Sequence, residues 1–164
     1  MTASTPNAYL RTQVMTANPA ELRLMLFDGA IRFAEQGREG LGKKDYEQAY
    51  NGVTRCQAIL MELINSLCPE QDPDLCRKLS ALYTFMYTRL MNASSERNPA
   101  IVDEVLNLLR YERETWSLLM KKLVKENAAA SLMQSSPARP AAGVTGRPAE
   151  ETGNLVGGRV SLQG

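Results

Sequence analysis

Asn18-Pro19-Ala20-Glu21-Leu22-Arg23-Leu24-Met25-Leu26-Phe27-Asp28-Gly29-Ala30 is the stretch that decides the fold. Asn18 is a good N-cap, Pro19 has the fixed φ that suits a first helical position, and Glu21 stands where its carboxylate can close a capping box. Leu22, Met25, Leu26, Ala30 and Phe33 then recur at helical spacing. The cap-then-proline device returns at Asp72-Pro73-Asp74 and Asn98-Pro99-Ala100. Asp45 with Gln48 marks a fourth start, after Gly40 and Gly42, which suit a helix end and turn. These signals predict helices near 19–39, 45–67, 73–94 and 99–127. Each carries an apolar stripe, such as Val53, Leu60, Leu63 and Leu67 in the second, Leu75, Leu79, Met86 and Leu90 in the third, and Val105, Leu109 and Trp116 in the fourth. Strand-like alternation is missing and the links are short, so the expected fold is all-α, an antiparallel up-down four-helix bundle.

Working outward, residues 1–17 include Tyr9, Leu10, Val14 and Met15, too apolar for a free tail. They are expected to form an N-terminal arm docking on the bundle of residues 18–127. From 128 to 164 Ala, Pro, Gly and Ser dominate, and such a segment buries too little surface to offset its ordering entropy, so a disordered tail is expected. Some stripes are wider than a simple bundle needs. The first helix adds Leu24, Phe27 and Ile31, and the third adds Cys76, Tyr83, Tyr87 and Met91. These residues either widen the core or meet something else: another segment of this chain, a second copy, or a different protein.

Composition narrows the function. Nineteen basic and eighteen acidic side chains give a net charge of +1, without the basic excess that gripping a nucleic-acid backbone requires. No uncharged apolar run is long enough to span a membrane, and the N-terminus lacks a signal-peptide pattern, so a cytoplasmic protein is expected. Cys56, Cys68 and Cys76 have neither disulfide-framework nor zinc-ligand spacing and read as small hydrophobes. The chain has no histidine, which removes the commonest general base and metal ligand, and no phosphate-loop, dinucleotide or nucleophile-elbow motif. The expectation is a protein-binding module with no cofactor, no metal and no enzymatic activity. A purely structural homo-oligomer is the rival reading.

Three blocks carry a resemblance. Asn7-Ala-Tyr9-Leu-Arg-Thr-Gln-Val14-Met-Thr16-Ala-Asn-Pro19 runs into Leu24-Met25-Leu26-Phe27-Asp28-Gly29, Leu82-Tyr83-Thr-Phe85-Met86-Tyr87-Thr-Arg89-Leu90 follows, and Glu114-Thr-Trp116 closes the series. Over about residues 7–125 the chain resembles the FliS family of flagellin export chaperones. Ala8, Phe27, Phe85 and Thr88 depart mildly from that family's usual residues, and the long tail lies outside the likeness. The resemblance implies binding of the C-terminal segment of flagellin, restraint of premature polymerisation, and delivery to a component of the flagellar export gate. The residues then expected to meet the client are Tyr9, Leu10, Val14, Met15, Leu22, Leu26, Tyr83, Tyr87, Met91 and Trp116. A homodimer is an additional expected partnership.

Overall fold

The computed structural model describes residues 6–134, which form five α-helices and, among the described residues, no strand: α1 (Pro6–Thr16), α2 (Pro19–Lys43), α3 (Tyr46–Asn65), α4 (Pro73–Glu96) and α5 (Pro99–Gln134). The caps are those written in the sequence. Asn18 Oδ1 accepts from Glu21 N–H at 2.9 Å while Glu21 returns a bond to Asn18 N–H at 3.0 Å. Asp45 accepts from Gln48 N–H, Asp72 from Leu75 N–H and Asn98 from Ala100 N–H, each at 3.0 Å. Each bond satisfies a donor that the helix itself leaves free. Asn18→Ala or Asp72→Ala should therefore each lower stability by ~1 kcal/mol in urea titration.

The four long helices contact one another in a closed ring, α2 on α3 and α5, and α4 on α3 and α5. Along α2 and α3, Gly40 meets Ala49, Gly37 meets Val53 and Gly29 meets Ile59, so positions fall on one helix as they rise on the other. Salt bridges carry the same descending order between α2 and α5: Arg38 with Asp103, Glu35 with Arg110 at 2.7 Å, and Asp28 with Arg113 at 2.7 Å. These pairs are solvent-exposed, so they set register more than they stabilise. The core between the helices holds Phe27, Leu60, Leu63, Tyr83, Met86, Leu90, Val102, Val105 and Leu109.

Three expected boundaries move. α2 does not stop before Gly40 but continues to Lys43, and Lys44 takes the left-handed cap at φ 60°. Gly40 is spent instead on close approach: a Cβ there would lie 2.4 Å from the Ala49 nitrogen. α5 passes the end expected at 127 and runs to Gln134, because Ala128-Ala129-Ala130 is strong helix-forming sequence and no proline follows until Pro137. Residues 6–16, within the expected arm of residues 1–17, form a helix, α1, with Pro6 at its first position. The rest of the expected tail, 135–164, lies outside the described residues.

Tyr83 and Phe27, read as possible outward stripes, belong to the core. Tyr83 is 1 % exposed and stands edge-on to Phe27, with ring centroids 6.4 Å apart. Burial, with a smaller push from Glu112, raises the Tyr83 phenol from 10.0 to about 12. A raised acid favours its neutral form in the folded state, so this stabilisation is complete below pH 10.0 and disappears as pH rises towards about 12. Alkaline unfolding followed by circular dichroism should show that loss, and Tyr83→Phe should flatten it. Cys56 fits the small-hydrophobe reading, being buried with its thiol pushed up to about 12.

Candidate docking surface

An apolar opening lies where α2 and α4 begin and α3 ends. A groove of about 390 Å³ is lined by Pro19, Ala20, Arg23, Ser66, Leu67, Cys68, Gln71, Asp72, Leu75, Cys76, Leu79 and Trp116. A second depression of about 280 Å³ shares Leu67 and Cys76 with it and adds Ile64, Pro69, Pro73, Arg77 and Ser80. The two are therefore one surface running from Trp116 into the furrow between α3 and α4.

Trp116 anchors this end. Its Nε1–H donates to the Ala20 carbonyl at 3.1 Å, satisfying the indole's one polar group, and the Arg23 guanidinium lies 4.8 Å from its ring. Arg23 also donates to Ser66, at 3.2 Å to Oγ and 3.4 Å to the carbonyl, so one side chain ties α2 to the end of α3 beside the groove. The groove floor is thus held rigid while Leu75, half exposed at the start of α4, stays open to solvent.

The furrow continues towards the far end. Gln57 of α3 donates to the Tyr87 carbonyl of α4 at 3.3 Å, which fixes the facing sides of the two helices. Helical repeat places Tyr50 seven residues before Gln57 and Met91 four after Tyr87, on those same sides, and both are exposed. Met61, four residues after Gln57, is exposed between them and Ile64. Thr54 and Gln57 separate Tyr50 from Met61, so the apolar part of this track runs from Met61 and Ile64 to Leu67 and ends on Trp116, with Tyr50 and Met91 as outlying apolar side chains.

Among the expected client-contacting residues, Tyr87, Met91 and Trp116 lie along this track. Tyr83 does not, since its ring is in the core and offers no docking surface. Leu22 and Leu26 on α2 are half-buried, and Leu26 packs against the core. Tyr9, Leu10, Val14 and Met15 ride on α1, where Tyr9 is 73 % and Met15 77 % exposed. Leu10 and Gln13 line a shallow depression with Met25, Asp28, Gly29 and Arg32, so α1 lies beside α2 and away from the Trp116 groove. Sequence reasoning assigned Leu67, Leu75 and Leu79 to core stripes and passed over Arg23. The available signal was position: a stripe residue in the first turn of a helix has only half a partner to pack on.

Over its described residues the chain is all-helical and carries an apolar groove open to solvent. The sequence profile described as Flagellar protein FliS matches residues 1–123, and the chain belongs to the FliS family. It is 34 % identical over 110 residues to the flagellar secretion chaperone FliS of Campylobacter jejuni, covering 67 % of this chain and 86 % of that one. The flagellar secretion chaperone FliS of Escherichia coli is 34 % identical over 122 residues, covering 71 % and 88 %. A crystal structure of a bacterial flagellar chaperone shares the fold at a TM-score of 0.60 with 18 % identity, covering 71 % of this chain and 97 % of that one.

Proposed function

We propose that this chain is a cytosolic flagellar secretion chaperone that binds the C-terminal segment of flagellin, keeps it from polymerising and hands it to the export gate. In this reading the four long helices are an antiparallel up-down bundle and α1 is an arm laid on its flank. The observation that carries the proposal is the apolar surface from Ile64 and Leu67 to Leu75, Leu79 and Trp116, in a member of a family whose relatives are named as secretion chaperones. An unfolded segment that becomes helical when bound loses conformational entropy, and an apolar surface supplies the burial that offsets it. Because the two terms nearly cancel, binding is strong enough to protect the client and weak enough to release it at the gate. No helix among the described residues is long and apolar enough to cross a membrane.

The test is to titrate a flagellin C-terminal peptide into the full chain while following helicity and, separately, filament growth from seeds. Gain of helicity with a one-to-one endpoint and suppressed growth are expected. Growth that proceeds unchanged in the presence of excess chain would refute the proposal.

A further inference from the structure

The α2–α3 face carries a side-chain cluster that neither the bundle nor the client reading uses. Arg32 of α2 and Arg55 of α3 both lie over the Phe33 ring, with guanidinium carbons 5.0 and 5.3 Å from its centroid. The two cations are therefore at most about 10 Å apart. Phe33 is half-buried and packs against the core, so its ring is a fixed platform, while both arginines are exposed. Arg55 on Phe33 fastens α3 to α2. Arg32 fastens nothing, since it is Phe33's own neighbour in the chain, and it adds a second positive charge to the same ring.

Neither cation has a carboxylate partner among the described residues. The ordinary partners of Arg32 would be Asp28 and Glu35, four residues before it and three after it on α2. Both are taken, Asp28 by Arg113 and Glu35 by Arg110, each at 2.7 Å across to α5. Around Arg55, the positions three and four away on α3 are Asn51, Gly52, Ala58 and Ile59, all uncharged. α1, which lies beside α2 at Met25 and Gly29, brings one charged residue, Arg11. By contrast Arg38, Arg77, Arg89, Arg110 and Arg113 each hold a carboxylate. Two like charges gathered on one ring repel each other, and an anion bound between them removes that cost.

We infer that Arg32, Phe33 and Arg55 form a docking site for a second protein partner, a helix that presents two carboxylates one turn apart. Side chains at i and i+4 of a helix start about 5–6 Å apart, so two carboxylates there reach both guanidinium forks. Beside Arg32, a depression of about 330 Å³ lined by Leu10, Gln13, Met25, Asp28 and Gly29 admits one apolar side chain of the same partner helix. The surroundings select against an extended polyanion. Asp28, Glu35, Glu39 and Glu62 stand within two turns of one or other arginine, so a nucleic acid or an anionic membrane would meet like charge on every side. A pair of carboxylates meets only the two arginines. Exposed charge pairs are individually weak and screened by salt, so the partner is held transiently and selected chiefly by charge. Because the client groove lies on the α3–α4 side, this site stays open when a client is bound. Docking of the acidic partner does not itself depend on where, or whether, a client binds.

The probe is an alanine-based helical peptide with glutamates four residues apart and a leucine one turn beyond them, titrated into the full chain at low salt and followed by nuclear magnetic resonance. The side-chain N–H signals of Arg32 and Arg55 should shift and saturate, and the shifts should vanish in about 0.5 M salt. The glutamine counterpart of the peptide should leave them in place. Arg32→Gln should weaken peptide binding about threefold with an unchanged melting temperature, and Arg32→Gln combined with Arg55→Gln about tenfold. The inference is overturned if the glutamate peptide moves neither arginine signal, or if its affinity survives both substitutions. Inorganic phosphate that saturates the two signals more tightly than the peptide would make this a small-anion site. Cosedimentation with phosphatidylglycerol vesicles that depends on Arg32 and Arg55 would make it a membrane contact, and either result overturns the inference too. Flagellin-peptide affinity is the separate readout and should be unchanged in both variants. If the flagellin peptide displaces the glutamate peptide from Arg32 and Arg55, the face belongs to the client, and the inference fails while the chaperone reading stands. If the flagellin peptide binds nowhere, the chaperone reading fails, and the expected shifts at Arg32 and Arg55 still support the acidic-partner site.

Discussion

Gly52→Ala is expected to cost about 3 kcal/mol or more. A Cβ at Gly52 would stand 2.3 Å from the Gly37 nitrogen, 2.7 Å from its Cα and 2.7 Å from the Phe33 carbonyl oxygen. All three are backbone atoms of α2, so no side chain can rotate away and the two helices must separate. Separation would open the core beneath them, including Ala34, Val53 and Cys56. For a domain held by about 5–15 kcal/mol, that is a large fraction of its stability. Gly42→Ala is the matched control. It lies in the last turn of α2 with nothing within 4 Å of the added atom, and should be neutral or stabilise by up to about 0.5–1 kcal/mol through helix propensity alone. Urea denaturation of the pair reads both effects in one experiment.

Leu75→Glu is expected to weaken binding of a flagellin C-terminal peptide by about 1–3 kcal/mol, roughly tenfold to a hundredfold, while leaving the melting temperature nearly unchanged. Leu75 is 50 % exposed, so the charge does not disturb the core, but it lies between Cys76, Leu79 and Trp116 in the groove and would confront an apolar client face. Phe85→Glu is the counterpart on the same helix. It is equally exposed but off the track, and should leave affinity intact. Calorimetric titration against both variants separates loss at the groove from a general effect of added charge.

Most of the fold was legible because its signals are local. Asn18, Asp45, Asp72 and Asn98 cap helices through bonds that span two or three residues, and a three-residue pattern in sequence is enough to see them. Gly40 and Gly52 were not legible. Whether a glycine ends a helix or admits a neighbouring backbone depends on a residue nine or fifteen positions away, Ala49 in one case and Gly37 in the other. Tyr83 misled for a related reason. Its spacing from Cys76, Tyr87 and Met91 defines a stripe, but only the placement of Phe27 on α2 determines which members of that stripe turn inward. The docking track needed three-dimensional contact as well. Leu67, Leu75 and Trp116 come from the end of one helix, the start of the next and the middle of the last, and their meeting at one groove follows from the register between helices.

The central claim is that a client segment docks on the α3–α4 track and the Trp116 groove. Hydrogen exchange of the full chain, with and without a flagellin C-terminal peptide, tests it most directly, since bound segments slow the opening of the helices they cover. Added protection is expected in the second half of α3, in the first half of α4 and around Trp116, with the outer face of α2 beneath α1 unchanged. Protection confined to α1 and that face of α2, with α3 and α4 exchanging as in the free chain, would contradict it.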